Sequence, residues 1–257
     1  MNVIVRHIPN ALTCASLSFG FYASVAGISG DYANAMIAIL IAAVLDFSDG
    51  LAARVLKASS PMGKELDSLS DVVSFGVAPG MMLFSFLDGL SDSLSWSPSW
   101  TGRLFLLPAF AIPVFSALRL AKFNLDTRQK TSFIGLPVPA HAILWSSVIT
   151  AFSPAVIPHK DGCTGLCFAK FFTDVTPEIL LAGLSVFAII TSLLLVSGIP
   201  MFSLKMSSFS WKENKLQYIL LLSAVVFVAF AGMIGVSATI LLYILLSVVA
   251  CRNHTGQ

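Results

Sequence analysis

Long apolar runs recur along the chain, separated by short polar stretches. Eight such runs cover about residues 8–28, 32–55, 66–88, 103–123, 137–157, 177–198, 216–234 and 236–251. A helix needs about 20 apolar residues to cross a hydrocarbon layer of about 30 Å, and most of the runs are close to that length. Continuous runs do not suit the strands of a membrane barrel, which alternate apolar and polar positions. A helix, by contrast, closes its own backbone hydrogen bonds. The pattern therefore predicts an all-α, polytopic membrane bundle of about eight helices in one domain, 1–257, with a tight turn near Gly235 joining the last two. Ser59-Ser60-Pro61-Met62-Gly63 is expected to break the chain between the second and third helices. So short a connection makes those two helices antiparallel neighbours.

Composition fits a membrane protein, at 56% hydrophobic and only 11% charged residues, with a mean hydropathy of +0.87. With a cytosolic N-terminus and eight spans, the cytosolic side receives Arg6, Arg54, Lys57, Lys64, Arg119, Lys122, Arg128, Lys130, Lys205, Lys212, Lys215 and Arg252. That is 12 of the 15 basic residues, leaving Arg103, Lys160 and Lys170 outside. Basic residues concentrate on cytoplasmic loops, so both termini are expected in the cytosol, with the protein in the cytoplasmic (inner) membrane. The net charge of +2 carries no signal of a nucleic-acid partner. The first run is read as a retained span, because it is long and has no persuasive cleavage site for a signal peptide. Trp96, Trp100 and Trp211 suit interfacial belts. Cys14 and Cys251 read as small buried hydrophobes. Cys163 and Cys167 share a predicted external loop, where a disulfide and two free thiols are both compatible with the sequence.

Against this apolar background, Asp46, Asp49, Asp67 and Asp71 fall within one short stretch. A carboxylate inside a membrane helix costs roughly 2.5–3.5 kcal/mol on insertion scales, and four together repel one another. Offsets of three and four residues put each pair on one helix face, about 60° and about 40° apart respectively. An antiparallel arrangement of the two helices brings both pairs to one pocket at the cytosolic boundary. Oxygen donors of this kind suit hard divalent cations such as Mg²⁺ or Mn²⁺, and four carboxylates carry enough charge for two ions. Gly50 and Ala53 leave room beside the acids, and Arg54 supplies a fixed cation for phosphate oxygens. The residues alone leave two readings open, metal-assisted phosphate chemistry and cation-coupled transport.

The arrangement Asp46-x2-Asp49-Gly50-x2-Ala53-Arg54-x8-Gly63-x3-Asp67-x3-Asp71 resembles the signature of the CDP-alcohol phosphatidyltransferases, with all eight signature residues at the family's spacing. Ile8-Pro9-Asn10-Ala11-Leu12-Thr13, the segments 65–79 and 117–124, and Phe133-Ile134-Gly135-Leu136-Pro137-Val138-Pro139-Ala140 are similar to the integral-membrane phosphatidylserine synthase branch of that family. The resemblance covers about residues 1–215; the last two helices, about 216–251, are generic additions to a core of about 1–200. It implies a homodimeric membrane enzyme with six core helices around a cytosol-facing cavity and two divalent ions. CDP-diacylglycerol and L-serine are the implied substrates, with membrane lipids around the protein. Asp46, Asp49, Asp67 and Asp71 are the implied metal ligands, with Asp71 also the general base. Gly50, Ala53 and Gly63 would shape the cytidine pocket, and Arg54 would contact a phosphate. For the serine carboxylate, Arg119 is the first candidate, with Asn124 and Arg128 behind it, and Ser74 is a candidate polar liner of the pocket. His141 reads as a packing residue. Another acceptor alcohol, such as glycerol 3-phosphate or inositol phosphate, is the alternative within the family.

Overall fold

In the computed structural model, which describes residues 3–96, 99–125, 133–153, 176–201 and 214–254, the apolar runs fold into helices whose ends are set by the polar residues between them. Helices α1 (Val3–Ile28) and α2 (Tyr32–Val55) form a hairpin through a three-residue connection. Gly30 adopts φ +77°, its N–H bonds the Gly27 carbonyl at 3.2 Å, and the Asp31 N–H bonds the Ala26 carbonyl at 2.9 Å. These two bonds are the Schellman closure of a helix. Asp31 then caps α2 by accepting from the Asn34 N–H.

The same device ends α2. Lys57 adopts φ 49°, its N–H reaches the Arg54 carbonyl at 3.3 Å, and the Ala58 N–H reaches the Ala53 carbonyl at 2.9 Å. Ser60 caps α3 (Pro61–Asp71), accepting from the Gly63 N–H at 3.0 Å. Pro61 sits in the first turn, where no helical hydrogen bond is lost. The break expected at Ser59–Gly63 is therefore displaced: residues 56–60 leave the helix, and Pro61, Met62 and Gly63 open the next one.

A π-helical segment, Val72–Val77, continues α3 into α4 (Ala78–Ser93), making one 33-residue rod from Pro61 to Ser93. The Ala78 N–H bonds the Val73 carbonyl five residues back. After α5 (Trp100–Leu106) and α6 (Pro108–Leu125) come β1 (Phe133–Ile134), α7 (Val138–Phe152), α8 (Pro177–Val196), β2 (Pro200–Met201), α9 (Lys215–Ala231) and α10 (Met233–His254). The two short strands pair antiparallel, Phe133 with Met201 and Ile134 with Pro200.

The architecture is an all-α polytopic membrane bundle. Five helical stretches, His7–Ile28, Tyr32–Val55, Pro61–Ser93, Gly102–Leu125 and Pro177–Val196, are long and apolar enough to cross a membrane. Val138–Phe152, Lys215–Ala231 and Met233–Val249 are apolar but shorter stretches, the last of them lying within the 22-residue α10. The turn expected near Gly235 lies at Gly232, which adopts φ +58°. Gly235 instead lies in the first turn of α10, where a side chain would collide with the Phe227 carbonyl. Cys14, read as buried, is exposed on α1. Cys163, Cys167, Trp211, Arg128, Lys130, Lys160, Lys170, Lys205 and Lys212 lie outside the described residues.

Packing within the bundle relies on small residues and on buried hydroxyls, because lipid gives apolar side chains little reason to prefer protein. Helix α7 is the most enclosed, with Trp145, Leu144 and His141 fully buried. Trp145 Nε1 donates to Thr191 Oγ1 at 3.0 Å, Thr150 Oγ1 donates to the Tyr32 carbonyl at 3.1 Å, and Ser147 and Ser237 share a 2.7 Å hydrogen bond. Helix α1 approaches the π segment so closely that a Cβ at Gly20 would lie 2.6 Å from Ser74 Cα. A contact with backbone cannot be relieved by a rotamer change. Gly20→Val is therefore expected to destabilise the fold by at least the roughly 1–3 kcal/mol typical of overpacking. Gly89→Ala, inside α4 with no neighbour within 4 Å of the added Cβ, should instead raise stability by up to about 1 kcal/mol; thermal unfolding in detergent compares the two.

Candidate active site

The two capped turns place the acids. Asp46 and Asp49 lie near the end of α2, and Asp67 and Asp71 occupy the last turns of α3. One carboxylate oxygen from each of Asp46, Asp49 and Asp67 lies within 4.8 Å of the others. Asp46 is also within hydrogen-bonding reach of Asp71, whose Oδ1 is buried with no hydrogen-bond partner. Asp49 is 5% exposed. Two unit charges 4 Å apart interact by about 4 kcal/mol at an effective dielectric of 20, so these carboxylates cannot all stay ionised without a cation among them. The donor set is all oxygen, compact and anionic, and fits a hard divalent ion.

A cavity of ≈ 160 Å³ opens beside the cluster, walled by Asn10 and Thr13 of α1, Gly50 and Ala53 of α2, and Gly63 and Asp67 of α3. The two glycines serve different ends. A Cβ at Gly63 would sit 3.0 Å from Asn10 Oδ1, so its absence lets α1 close on α3. At Gly50 the nearest atom to an added Cβ is a guanidinium nitrogen of Arg54, 3.9 Å away. A glycine inside a helix costs about 1 kcal/mol relative to alanine, and here no protein atom occupies the space it frees. The surface is open to a ligand. Arg54 folds over the same spot, its Nε donating to the Gly50 carbonyl at 2.9 Å.

Thr13 is a component the sequence gave no reason to choose. Its hydroxyl lies 2.5 Å from Asp49 Oδ2 and 3.1 Å from the Pro9 carbonyl, tethering the most buried acid to α1. Asn10, one turn earlier, shares the cavity wall. The signal available was a pair of polar residues three apart on an apolar helix.

Arg119 of α6 is 7% exposed, its Nε has no hydrogen-bond partner, and its guanidinium lies 5.8 Å from the Phe123 ring centroid. It is within electrostatic reach of Asp71 and of Tyr243 on α10, so a helix that looked generic faces this region. Ser74 is elsewhere engaged: fully buried, it donates to the Ser16 carbonyl at 3.1 Å in the α1 interface. Asn124 Nδ2 donates to Ser68 Oγ at 2.8 Å, which joins α6 to α3. His141 Nε2 lies 3.1 Å from Thr191 Oγ1 in the core, away from the acids. Arg128 lies outside the described residues.

A helical membrane bundle with a carboxylate cluster of this kind fits metal-assisted phosphate chemistry, and sequence comparison gives the family. The chain belongs to the CDP-alcohol phosphatidyltransferase family, whose sequence model matches residues 6–169. Similar proteins named CDP-diacylglycerol–serine O-phosphatidyltransferase include one from Bacillus subtilis, 36% identical over 164 residues, covering 64% of this chain and 86% of that protein. One from Mycobacterium bovis is 32% identical over 206 residues, covering 77% of this chain and 62% of that protein. One from Helicobacter pylori is 36% identical over 142 residues, covering 53% and 54%. The chain thus spans most of the Bacillus protein and little more than half of the other two.

Loss of a partner that orients a metal ligand typically lowers metal affinity about 10- to 100-fold. Thr13→Val should weaken Mn²⁺ binding by that order, measured by calorimetry or by electron paramagnetic resonance of the free ion. Thr13→Ser, which keeps the hydroxyl, should restore it.

Proposed function

We propose that this protein is a phosphatidylserine synthase, transferring the phosphatidyl group of CDP-diacylglycerol to the hydroxyl of L-serine and releasing CMP. The observation that carries the proposal is the meeting of Asp46, Asp49 and Asp67 within 4.8 Å, beside a cavity that Gly50 leaves open. The names of the relatives support serine as the acceptor, and family membership argues against cation-coupled transport.

Asp46, Asp49, Asp67 and Asp71 would hold two divalent ions, Mg²⁺ or Mn²⁺. Bound there, the ions offset the charge of the pyrophosphate and of the departing CMP. Gly50, Ala53 and Gly63 let the nucleotide press against helix backbone, and Arg54 pairs with a phosphate oxygen. Asp71, whose buried Oδ1 has no hydrogen-bond partner, takes the proton of the serine hydroxyl. The serine oxygen then attacks the phosphatidyl phosphorus in line. The new P–O bond forms as the bond to CMP breaks, and no covalent enzyme intermediate is needed.

Arg119 neutralises the serine carboxylate. Its buried guanidinium has unused donor capacity at Nε and interacts with Asp71, which supports a role for it beside the base. The chain forms one membrane domain with both termini and the acid cluster on the cytosolic side of the cytoplasmic membrane, as the distribution of basic residues supports. A homodimer follows the family resemblance.

Purified protein given CDP-diacylglycerol should release CMP with L-serine and not with glycerol 3-phosphate or inositol phosphate; the reverse preference would overturn the assignment. Chelation should stop the reaction, and Mg²⁺ or Mn²⁺ should restore it. Asp71→Asn should lower kcat by about 10²- to 10⁴-fold, the usual contribution of a general base, with the protein still folded. Arg119→Ala should raise KM for serine at least about tenfold, the worth of one charge-assisted hydrogen bond, with CDP-diacylglycerol binding unchanged.

A further inference from the structure

A second cavity, larger than the first at ≈ 400 Å³, lies between α4, α5 and the start of α6. Asp88 stands 17 residues beyond Asp71 on one continuous helical rod, which at about 1.5 Å per residue separates the two sites by roughly 25 Å. That is most of a bilayer's hydrocarbon thickness. This cavity therefore belongs to the opposite membrane face, apart from the acid cluster and its chemistry.

Its lining divides by polarity. Asp88, Ser91 and Arg103 form one part, and Phe84, Leu107 and Phe110 the other. Ser91 is 1% exposed and its hydroxyl has no hydrogen-bond partner; it faces Gly102, where a Cβ would come within 2.5 Å of the oxygen. Among the described residues neither Asp88 nor Arg103 forms an ion pair with another side chain. The apolar part continues onto the lipid-facing surface, since Leu107 is 57% and Phe110 55% exposed, with Leu104 beside them at 60%. Trp100, 82% exposed at the start of α5, marks the interfacial level at which aromatic residues concentrate.

A ligand entering sideways from the bilayer would thus lay hydrocarbon along Phe84, Leu107 and Phe110 and bring its polar end to a carboxylate, a guanidinium and an unsatisfied hydroxyl. We infer that this cavity binds an aminophospholipid of the leaflet opposite the acid cluster, its ammonium on Asp88 and its phosphate on Arg103. An anionic lipid without an amine would meet Arg103 equally well but would leave Asp88 unpaired beside its own negative charge. The two unpaired side chains of opposite sign are what select a zwitterion.

The test uses the full chain in detergent micelles with phosphatidylethanolamine and phosphatidylglycerol of identical acyl chains, counting retained lipids by native mass spectrometry. The wild type should retain phosphatidylethanolamine about tenfold better, the value of one charge-assisted contact. Asp88→Asn should abolish that preference, and Arg103→Gln should lower retention of both lipids. Equal retention of the two lipids by the wild type, or variants that bind as the wild type does, would overturn the inference. Because both substitutions lie far from the acid cluster, metal-dependent CMP release by the variants reports that the fold is intact, and the binding readout does not depend on which alcohol the enzyme accepts.

Discussion

Mutual repulsion among four carboxylates is the constraint around which the first three helices are built. Acids this close, at the edge of a low-dielectric slab, stay ionised together only where something positive is held between them. Everything nearby serves that end. The Schellman turn at Lys57 and the Ser60 cap reverse the chain in five residues, so α2 and α3 present their acids to one space. Thr13 reaches across from α1 to hold Asp49, and glycine at position 63 lets α1 come close enough for that hydrogen bond. The wall at Gly50 is left bare beside the acids, with only the Arg54 guanidinium near it.

Much of this was legible in the sequence, for identifiable reasons. Offsets of three and four residues fix a shared helix face whatever the tertiary packing, so the two aspartate pairs could be read directly. Hydropathy over 20 residues locates apolar helices because the bilayer, unlike a protein core, imposes a length. The break after α2 was seen but misplaced, because Pro61 and Gly63 act as starting residues once Ser60 caps them. Gly232 and Gly235 are three residues apart and compositionally equivalent. Only the approach of α10 to the Phe227 carbonyl decides that the second is a packing glycine and the first the turn.

Thr13 was not legible, and the reason is physical. Serines in these helices often satisfy themselves on the carbonyl one turn back, as Ser18 does with Cys14, Ser24 with Gly20 and Ser48 with Val44. A hydroxyl on an apolar run therefore says little until its neighbour is known. Thr13 makes that local bond too, and is distinguished only by Asp49 lying opposite. Tyr243 was missed for a related reason: α10 has no charged motif of its own, and its relation to Arg119 exists only after the chain has folded back across α7.

The π-helical turn at Val72–Val77 has a further meaning. A wider turn accommodates one residue more than an α-helical turn, which shifts the angular phase of everything after it by about 100°. Upstream, the rod must aim Asp67 and Asp71 at α2; downstream, Met82 must settle against α1 while Gly80 faces Pro113 of α6. An unbroken α-helix would inherit one orientation for both tasks. The expanded coil acts as a rotary coupling, letting the acid-bearing half of the rod and its anchoring half be aligned independently within a single span.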